Sequence, residues 1–356
     1  MQDHPWEFKN YDVSEASKLQ QLLQLNPVFT QLLAQRGLKN LEAVQQFLRP
    51  NLKQLYDPFL LKDMSLAVAC IQASINRGER LLLFGDYDTD GLCALALLYR
   101  FLNSFYDKVS WALPNRLAEG YGLSDRAIQE AIRQEVGLII CLDCGTKDYL
   151  NIAKARKAGI AVIIVDHHVP GPNLPMASAI LNPKQKACIY PFKELSACGV
   201  AFKLATALAQ QYQWSFENTV LIYIDLVAVS IAADFVTMRG ENRVLAFLGL
   251  AKLNSEPSLG LKLLLNETAS KTAEVDVNRI VFYVAPVLNA AGRLGKAEIA
   301  LSLLLEDSVD DAKNSLNILK QLNTKRKKIQ ADFQSDIAQM VSADPAIFDE
   351  QFLMLY

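Results

Sequence analysis

The sequence is short of several things that would each mark a function class. Positive charge is not in excess: 36 Lys and Arg stand against 38 Asp and Glu, a formal charge of −2. No global field therefore draws the chain to a polyanion, and a nucleic-acid site must be a local patch. No apolar run reaches the roughly 18 residues that a membrane span needs, and Met1-Gln2-Asp3-His4-Pro5-Trp6 has no apolar leader core. These absences predict a cytoplasmic chain with no membrane contact and with reduced thiols. Of six cysteines, only Cys141 and Cys144 have the C-x-x-C spacing, and no second pair completes a zinc site. Cys141 lies in the apolar run Leu138–Leu142, which predicts burial in a strand. Gly120-Tyr-Gly122 lacks the third glycine of a dinucleotide-binding loop. There is no internal repeat and no low-complexity segment.

What is present is an ordinary globular composition, 51% hydrophobic and 21% charged, with length for one large domain and an appendage or for two domains. Residues 1–62 carry short helical periods around Leu22-Leu23, Leu32-Leu33 and Phe47-Leu48, interrupted by Gly37, Pro50 and Pro58, and are expected to form a helical cap. From 63 to 306 the pattern changes. Short apolar runs at Leu81–Phe84, Val109–Leu113 (interrupted only by Ser110), Leu138–Leu142 and Ala161–Val165 alternate with helical stretches near 92–103, 125–134 and 148–157. Such alternation predicts an α/β fold, a parallel sheet with helices on both faces. A mainly helical region follows from about 195, including 200–212 and 220–231. One long polar helix is expected over 307–342, carrying Lys325-Arg326-Lys327-Lys328. Those four charges fit a solvated helix face and a DNA contact equally well. Phe348, Phe352, Leu353 and Leu355, within 343–356, read as the start of a further domain.

The informative residues are the acids that end the apolar runs. The first run ends in Asp86-Tyr87-Asp88-Thr89-Asp90-Gly91, the third in Asp143-Cys144-Gly145 and the fourth in Asp166-His167-His168. Ligands of open parallel sheets bind at the carboxyl ends of the strands, so these segments should share one rim. Carboxylates packed together repel unless cations hold them. Hard oxygen donors with an imidazole suit Mg²⁺ or Mn²⁺, and two such ions about 3.5–4 Å apart are a known arrangement for phosphoryl hydrolysis. A single Asp after a strand is more often a helix cap, and Asp148 is assigned that role. Two of only three histidines are adjacent at one of these ends, which a capping explanation does not cover. A further acid should come from the helical half. Asp225 and Asp234 both lie in an apolar stretch where an unpaired charge is costly, and chemistry alone does not choose between them.

These segments, in this order, resemble the DHH phosphoesterases, and within them the branch of single-strand-specific DNA exonucleases. Gly85-Asp-Tyr-Asp-Thr-Asp-Gly91 is similar to the family's first motif, Asp143-Cys-Gly145 to the next, and Asp166-His-His168 to the signature that names it. Pro114-Asn-Arg116, Glu119-Gly-Tyr-Gly-Leu-Ser124, Asn182-Pro-Lys-Gln185, Tyr190-Pro-Phe-Lys-Glu194, Gly240-Glu-Asn-Arg243 and Asn289-Ala-Ala-Gly-Arg-Leu-Gly295 fit the same branch. The three-letter signature alone is weak, whereas the ordered set is specific.

The resemblance implies that Asp88, Asp90, Asp143, His167 and Asp234 hold two Mn²⁺ or Mg²⁺ ions, with Asp234 preferred to Asp225. It implies that His168 and Arg293 act on the scissile phosphate, and that Asp86 is either a ligand or a carboxylate behind the ligands. Arg116, Tyr121, Ser124, Asn289 and Arg293 would bind substrate, the guanidinium forks matching phosphate oxygens. The implied activity is 5′-to-3′ hydrolysis of single-stranded DNA in repair and recombination. The implied partners are the DNA, a single-strand-binding protein and a recombination helicase. A rival with the same chemistry is a phosphodiesterase of oligoribonucleotides or cyclic dinucleotides, or a pyrophosphatase. A non-catalytic scaffold conflicts with the filled acid positions. Two departures stand out: Phe84 occupies a position where wider relatives carry a metal-binding His, and no Trp-His plus Gly-rich motif of a following domain appears after Met340. The latter gives the expectation of a fragment ending before an accessory domain and an OB-fold.

Overall fold

The structure, a computed structural model, describes residue 7, residues 9–268 and residues 274–343. The apolar residues expected at the start of a further domain, Phe348 to Leu355, lie outside the described residues.

The centre is a five-stranded parallel sheet in the order β2-β1-β3-β4-β5. Its strands are β1 (Arg80–Gly85), β2 (Val109–Ala112), β3 (Val136–Leu142), β4 (Ala161–Val165) and β5 (Ala179–Leu181). Alternate side chains point to opposite faces, and because both faces are covered both sets are apolar. Leu81, Leu83, Leu138, Ile140, Ile163 and Val165 join one core, while Leu82, Phe84, Ile139, Cys141, Val162 and Ile164 join the other. Full burial of such side chains contributes about 1.5–3 kcal/mol each. Cys141 and Cys144 are both buried free thiols, as the apolar run implied for Cys141.

Three N-terminal helices, α1 (Val13–Leu23), α2 (Pro27–Gln35) and α3 (Leu41–Leu48), share a small separate core of Leu19, Leu33 and Val44. Asp12, Asn26 and Asn40 cap them, which explains why such short helices begin where they do. Helix α4 (Met64–Asn76) precedes the sheet; α5 (Thr89–Asn103), α6 (Asp125–Arg133) and α7 (Tyr149–Lys157) are its crossovers. Helices α4, α5 and α8 (Ala197–Gln211) cover one face and α6 and α7 the other.

The expected helix over 220–231 is broken. The chain runs as α9 (Phe216–Thr219), a 3-10 turn at Leu221–Tyr223, and α10 (Ile224–Ala233). Contrary to the expectation that no run has the length of a membrane span, Phe216–Ala233 meets that length and composition over 18 residues. More than half of it is buried inside the protein, because α10 packs between α5, α8 and α11 (Gly240–Ser255). Then come α12 (Leu259–Thr268), a turn α13 (Val277–Arg279), a π-helical segment Ile280–Val284, α14 (Ala285–Arg293) and α15 (Ala297–Leu305). Helix α16 (Val309–Ala343) is the long helix read from the sequence. Only its first half is anchored, through Ala312, Leu316, Leu319 and Leu322.

Candidate metal centre

Strand register builds the rim. Gly85 pairs with Leu142, Leu142 with Val165, and Val165 with Leu181. Four strands therefore end level, and the next residues, Asp86, Asp143, Asp166 and Asn182, stand side by side. The ladder continues one step beyond them: Asp86 N–H donates to Leu142 O at 3.1 Å, Asp143 N–H to Val165 O at 3.0 Å, and Asp166 N–H to Leu181 O at 3.0 Å. Asp143 sits at φ 61°, in the left-handed region that a non-glycine residue occupies at a cost.

His167 is the hub. Its Nε2 lies 3.3 Å from Asp143 Oδ1, 3.6 Å from Asp234 Oδ2 and 3.7 Å from Asp90 Oδ2. These separations are too long for good hydrogen bonds and suit donors that share one cation. One oxygen from each of Asp86, Asp88 and Asp143 likewise lies within 4.8 Å of the others. Buried polar atoms normally have partners, yet Asp86 Oδ1 and Asp143 Oδ1 have none. Hard carboxylate oxygens with one imidazole, and orphaned buried acceptors among them, fit divalent Mg²⁺ or Mn²⁺.

The electrostatics agree. Burial, then Asp88, pushes Asp86 up to about 7. Burial, then Asp90 and Asp88, pushes Asp234 up to about 7. Burial, then the neighbouring aspartates, drives Asp143 well above the usual carboxylate range and raises Asp88. Burial also lowers His167, keeping its imidazole neutral and able to ligate.

Hydrogen bonds from the protein fix the positions of these acids, and both Asp90 oxygens are engaged, Oδ2 by the Ala197 N–H as well as facing His167. Asp88 Oδ1 caps α5, accepting the Asp90 and Gly91 N–H groups at 2.9 and 3.1 Å. Asp90 accepts from Ala197 N, Cys198 N and the Ser230 hydroxyl at 2.7–2.9 Å, which ties α5 to the start of α8 and to α10. Asp234 ends α10 and reaches the cluster. Asp225, nine residues earlier and about 14 Å away along the helix, instead accepts the Leu226 and Ser258 N–H groups at 3.1 and 2.8 Å. The tertiary structure thus separates the two acids that chemistry left open.

Asp166 is not at the hub. It accepts the His167 and His168 N–H groups at 2.7 and 3.1 Å, His168 Nδ1 at 2.7 Å and Thr146 N–H at 3.0 Å. Burial pushes its carboxyl up, but the His168 hydrogen bond and charge, with Thr146, outweigh this and hold it below the usual range. The same hydrogen bond raises His168, against burial. Phe84, the position where wider relatives carry a histidine, is fully buried in the core on the sheet face opposite α5.

A cleft of about 310 Å³ opens over the carboxylates, lined also by Tyr87, Arg116, Tyr121, His168, Asn289 and Arg293. Arg116 stacks 5.1 Å above the Tyr87 ring. Arg293 ends α14, and Gly292 allows the approach: a Cβ there would stand 2.5 Å from Tyr87 O. Asn289 Oδ1 accepts both the N–H and the hydroxyl of Thr89 at 2.8 Å, leaving its NH₂ for the cleft. The Tyr121 hydroxyl donates to Asp143 O at 2.8 Å, so the ring is what remains on offer. Ser124 does not line the cleft; its hydroxyl caps α6 through Ala127 N–H at 3.1 Å. Asp148 stands at the cap position of α7 but makes no cap bond. Its carboxylate accepts Leu123 N–H at 2.7 Å and closes on Gly122, whose φ of 90° needs glycine. Arg326, from the basic run on α16, lines a neighbouring hollow with Arg293 and Phe235.

Sequence reading missed three supports: β5, Ser230 and Thr146. Asn182, at the end of β5, donates to His168 O at 2.8 Å and to Thr146 Oγ1 at 3.1 Å. Its place in Asn182-Pro-Lys-Gln185 was the available signal; Ser230 and Thr146 had none.

Comparison with known proteins gives the same picture. The pattern of the DHH family, N-terminal domain, matches residues 80–231. The single-stranded-DNA-specific exonuclease RecJ of Bacillus subtilis is 35% identical over 336 residues, covering 94% of this chain and 42% of the relative. A crystal structure of exonuclease RecJ bound to manganese superposes with a TM-score of 0.73 at 32% identity, covering 82% of this chain and 72% of that one. RecJ of Thermus thermophilus with Mn²⁺ superposes with a TM-score of 0.80 at 27% identity, covering 96% and 48%. The chain spans about half the length of the curated relatives it matches. By sequence and by fold, the chain belongs to the RecJ family of DHH proteins.

Proposed function

We propose that the chain carries the catalytic centre of a metal-dependent exonuclease that hydrolyses single-stranded DNA from the 5′ end, in DNA repair and recombination in the cytoplasm. The observation that carries this reading is the pair of buried, unpartnered oxygens, Asp86 Oδ1 and Asp143 Oδ1, in the acid cluster that includes His167, beside a cleft lined by two arginines. The name and the Mn²⁺ and Mg²⁺ of the relatives' structures support it. We assign 63–306 to catalysis, 1–62 to a cap and 307–342 to a connector helix. A single-strand-binding protein and a recombination helicase are the protein partners that the family reading proposes.

Asp88, Asp90, Asp143, His167 and Asp234 would hold two Mn²⁺ or Mg²⁺ ions, with Asp86 behind or among them. When bound, the ions supply a water made nucleophilic at neutral pH and neutralise charge on the phosphate. The protein's own groups do the rest. Arg116, steadied on Tyr87, and the Asn289 NH₂ hold phosphate oxygens. Arg293 and His168, the latter oriented by its hydrogen bond to Asp166, meet the negative charge that develops on the scissile group. The exposed Tyr121 ring gives a base a stacking surface. Ser124 acts indirectly, by holding the loop that carries Tyr121.

The test uses 5′-labelled and 3′-labelled single strands with Mn²⁺ and an Asp143→Ala control. Early release of the 5′ label alone, absent in the variant, is the expected result. Turnover of dinucleotides or pyrophosphate with intact long strands would replace this reading with the small-substrate one.

A further inference from the structure

The Gly240-Glu241-Asn242-Arg243 segment lies away from the carboxylates, at the seam between the N-terminal helices and α11. Part of it is plainly architectural. Glu241 is buried and both its oxygens are committed, to Tyr56 N–H at 2.9 Å, to the Tyr190 hydroxyl at 2.6 Å and to Lys203 Nζ at 2.5 Å. Asn242 holds the Thr237 and Glu194 carbonyls.

The rest is not explained by architecture. A cavity of about 200 Å³ opens at this seam, lined by Arg36, Arg239 and Arg243 with Leu38, Phe47 and Tyr56. The only acid in the lining is the committed Glu241. Among the described residues, none of the three guanidiniums has a carboxylate partner. Two are instead oriented by neutral groups. Arg243 lies 3.8 Å over the Phe47 ring and its Nε donates to Phe47 O. Arg36 donates to Leu32 O at 3.2 Å. Burial, and secondly the charge of Arg36, lower the pKa of Arg243, so the two cations are close enough to oppose each other. Like charges fixed around one hollow are relieved by an anion between them. Guanidinium forks match phosphate oxygens in particular. The first turn of α11 has no side-chain cap and adds its own partial positive charge.

We infer that Arg36, Arg239 and Arg243 form a phosphate-binding site, separate from the metal centre, that takes the phosphate of a nucleotide. The Phe47, Tyr56 and Leu38 wall suits the apolar parts of a nucleoside better than a bare ion. Arg239 follows Asp234 by five residues, so their backbones are at most about 17 Å apart. A strand engaged at the carboxylates could therefore deliver one of its own backbone phosphates here. A free nucleotide is the other source of the same chemistry.

Binding of deoxythymidine monophosphate, inorganic phosphate and a (dT)12 strand to the uncleaving Asp143→Asn protein, measured by calorimetry, tests the site. Arg36 and Arg239 are exposed, and Arg36→Ala and Arg239→Ala are the variants. Each should weaken phosphate binding about tenfold. If the ligand is a strand, (dT)12 affinity falls with it and the salt dependence loses about one counterion. If it is a free nucleotide, only the monophosphate is affected. Arg243→Lys, which keeps the charge and loses the fork, should behave like the alanine variants. Affinities for all three probes unchanged within about twofold in folded variants would overturn the site and leave these arginines as seam contacts. The readout requires no hydrolysis, so failure of the exonuclease reading and failure of this site are separate results.

Discussion

Helix α8 carries two buried polar clusters about 9 Å apart along its axis, and they are opposites. Near its middle, Lys203 and Glu241 form an ion pair in which the donors and acceptors are matched: Lys203 also donates to Tyr56 O at 2.9 Å, and Glu241 accepts from Tyr56 and Tyr190. At its first turn stands the carboxylate rim, where Asp86 and Asp143 keep oxygens without donors, Asp143 adopts a strained φ, and burial with mutual repulsion raises the acids. Lys203 and Glu241 in the one and Asp86, Asp90 and Asp143 in the other are all buried. Burial alone therefore does not mark function. The mark is burial without compensation, which folding tolerates where a ligand supplies the missing charge.

The sharpest way to break this comparison is to remove a rim acid. Asp143→Ala should lower hydrolysis by more than the 10–100-fold typical of groups one step behind a metal, while the metal-free protein keeps or gains thermal stability. Loss of both together would place Asp143 with the structural cluster. The mirror experiment is Lys203→Met. It leaves Glu241 buried without a counter-charge and should cost about 3–5 kcal/mol in urea unfolding, with the rate per folded molecule unchanged. Lost activity at unchanged stability would dissolve the contrast.

A smaller effect is expected at Asp166, which belongs to the rim by sequence but to the matched class by its four hydrogen bonds. Asp166→Asn should cost about 10–100-fold in rate. Because Asp166 is what raises His168, the descending limb of the pH–rate profile should move to lower pH in the variant. An unmoved limb would assign that limb to another group.

The smallest effect is on stability against pH. In the metal-free protein Asp86 and Asp234 titrate at about 7, above the unfolded value of about 3.9. The folded state then binds more protons, so their contribution is fully present below about pH 4 and is lost as pH rises through 7. Calorimetric Tm without metal should fall by a few degrees between pH 5 and 8. Mn²⁺ should abolish or reverse the trend, since it replaces those protons.

Much of this was legible beforehand because it depends on short-range pattern. Apolar runs of four and five residues alternating with helical stretches fit parallel strands buried on both faces, so the sheet and the acids at its strand ends followed from residues 80–168. The π-helical segment at Ile280–Val284, the break inside 216–233 and the short β5 were not legible. Each depends on what a segment packs against, not on its own periodicity. Asp148 was misjudged for the same reason. Its position before α7 reads as a cap, but the Gly122 loop, distant in sequence, offers Leu123 N–H to its carboxylate instead.

The sequence by itself determined the composition of the centre: which acids and histidines end the strands, and their suitability for hard divalent cations. Tertiary structure alone decided how those residues are placed relative to one another. Register set Asp86, Asp143 and Asp166 in a row, and the packing of α10 turned Asp234, not Asp225, toward His167. The contact of α14 with Tyr87 brought Arg293 to the cleft. The physical reason is range: a residue's chemistry is carried in its own side chain, but its charge state and its surroundings depend on neighbours that the chain supplies from more than 200 residues away, as Gly292 is from Tyr87.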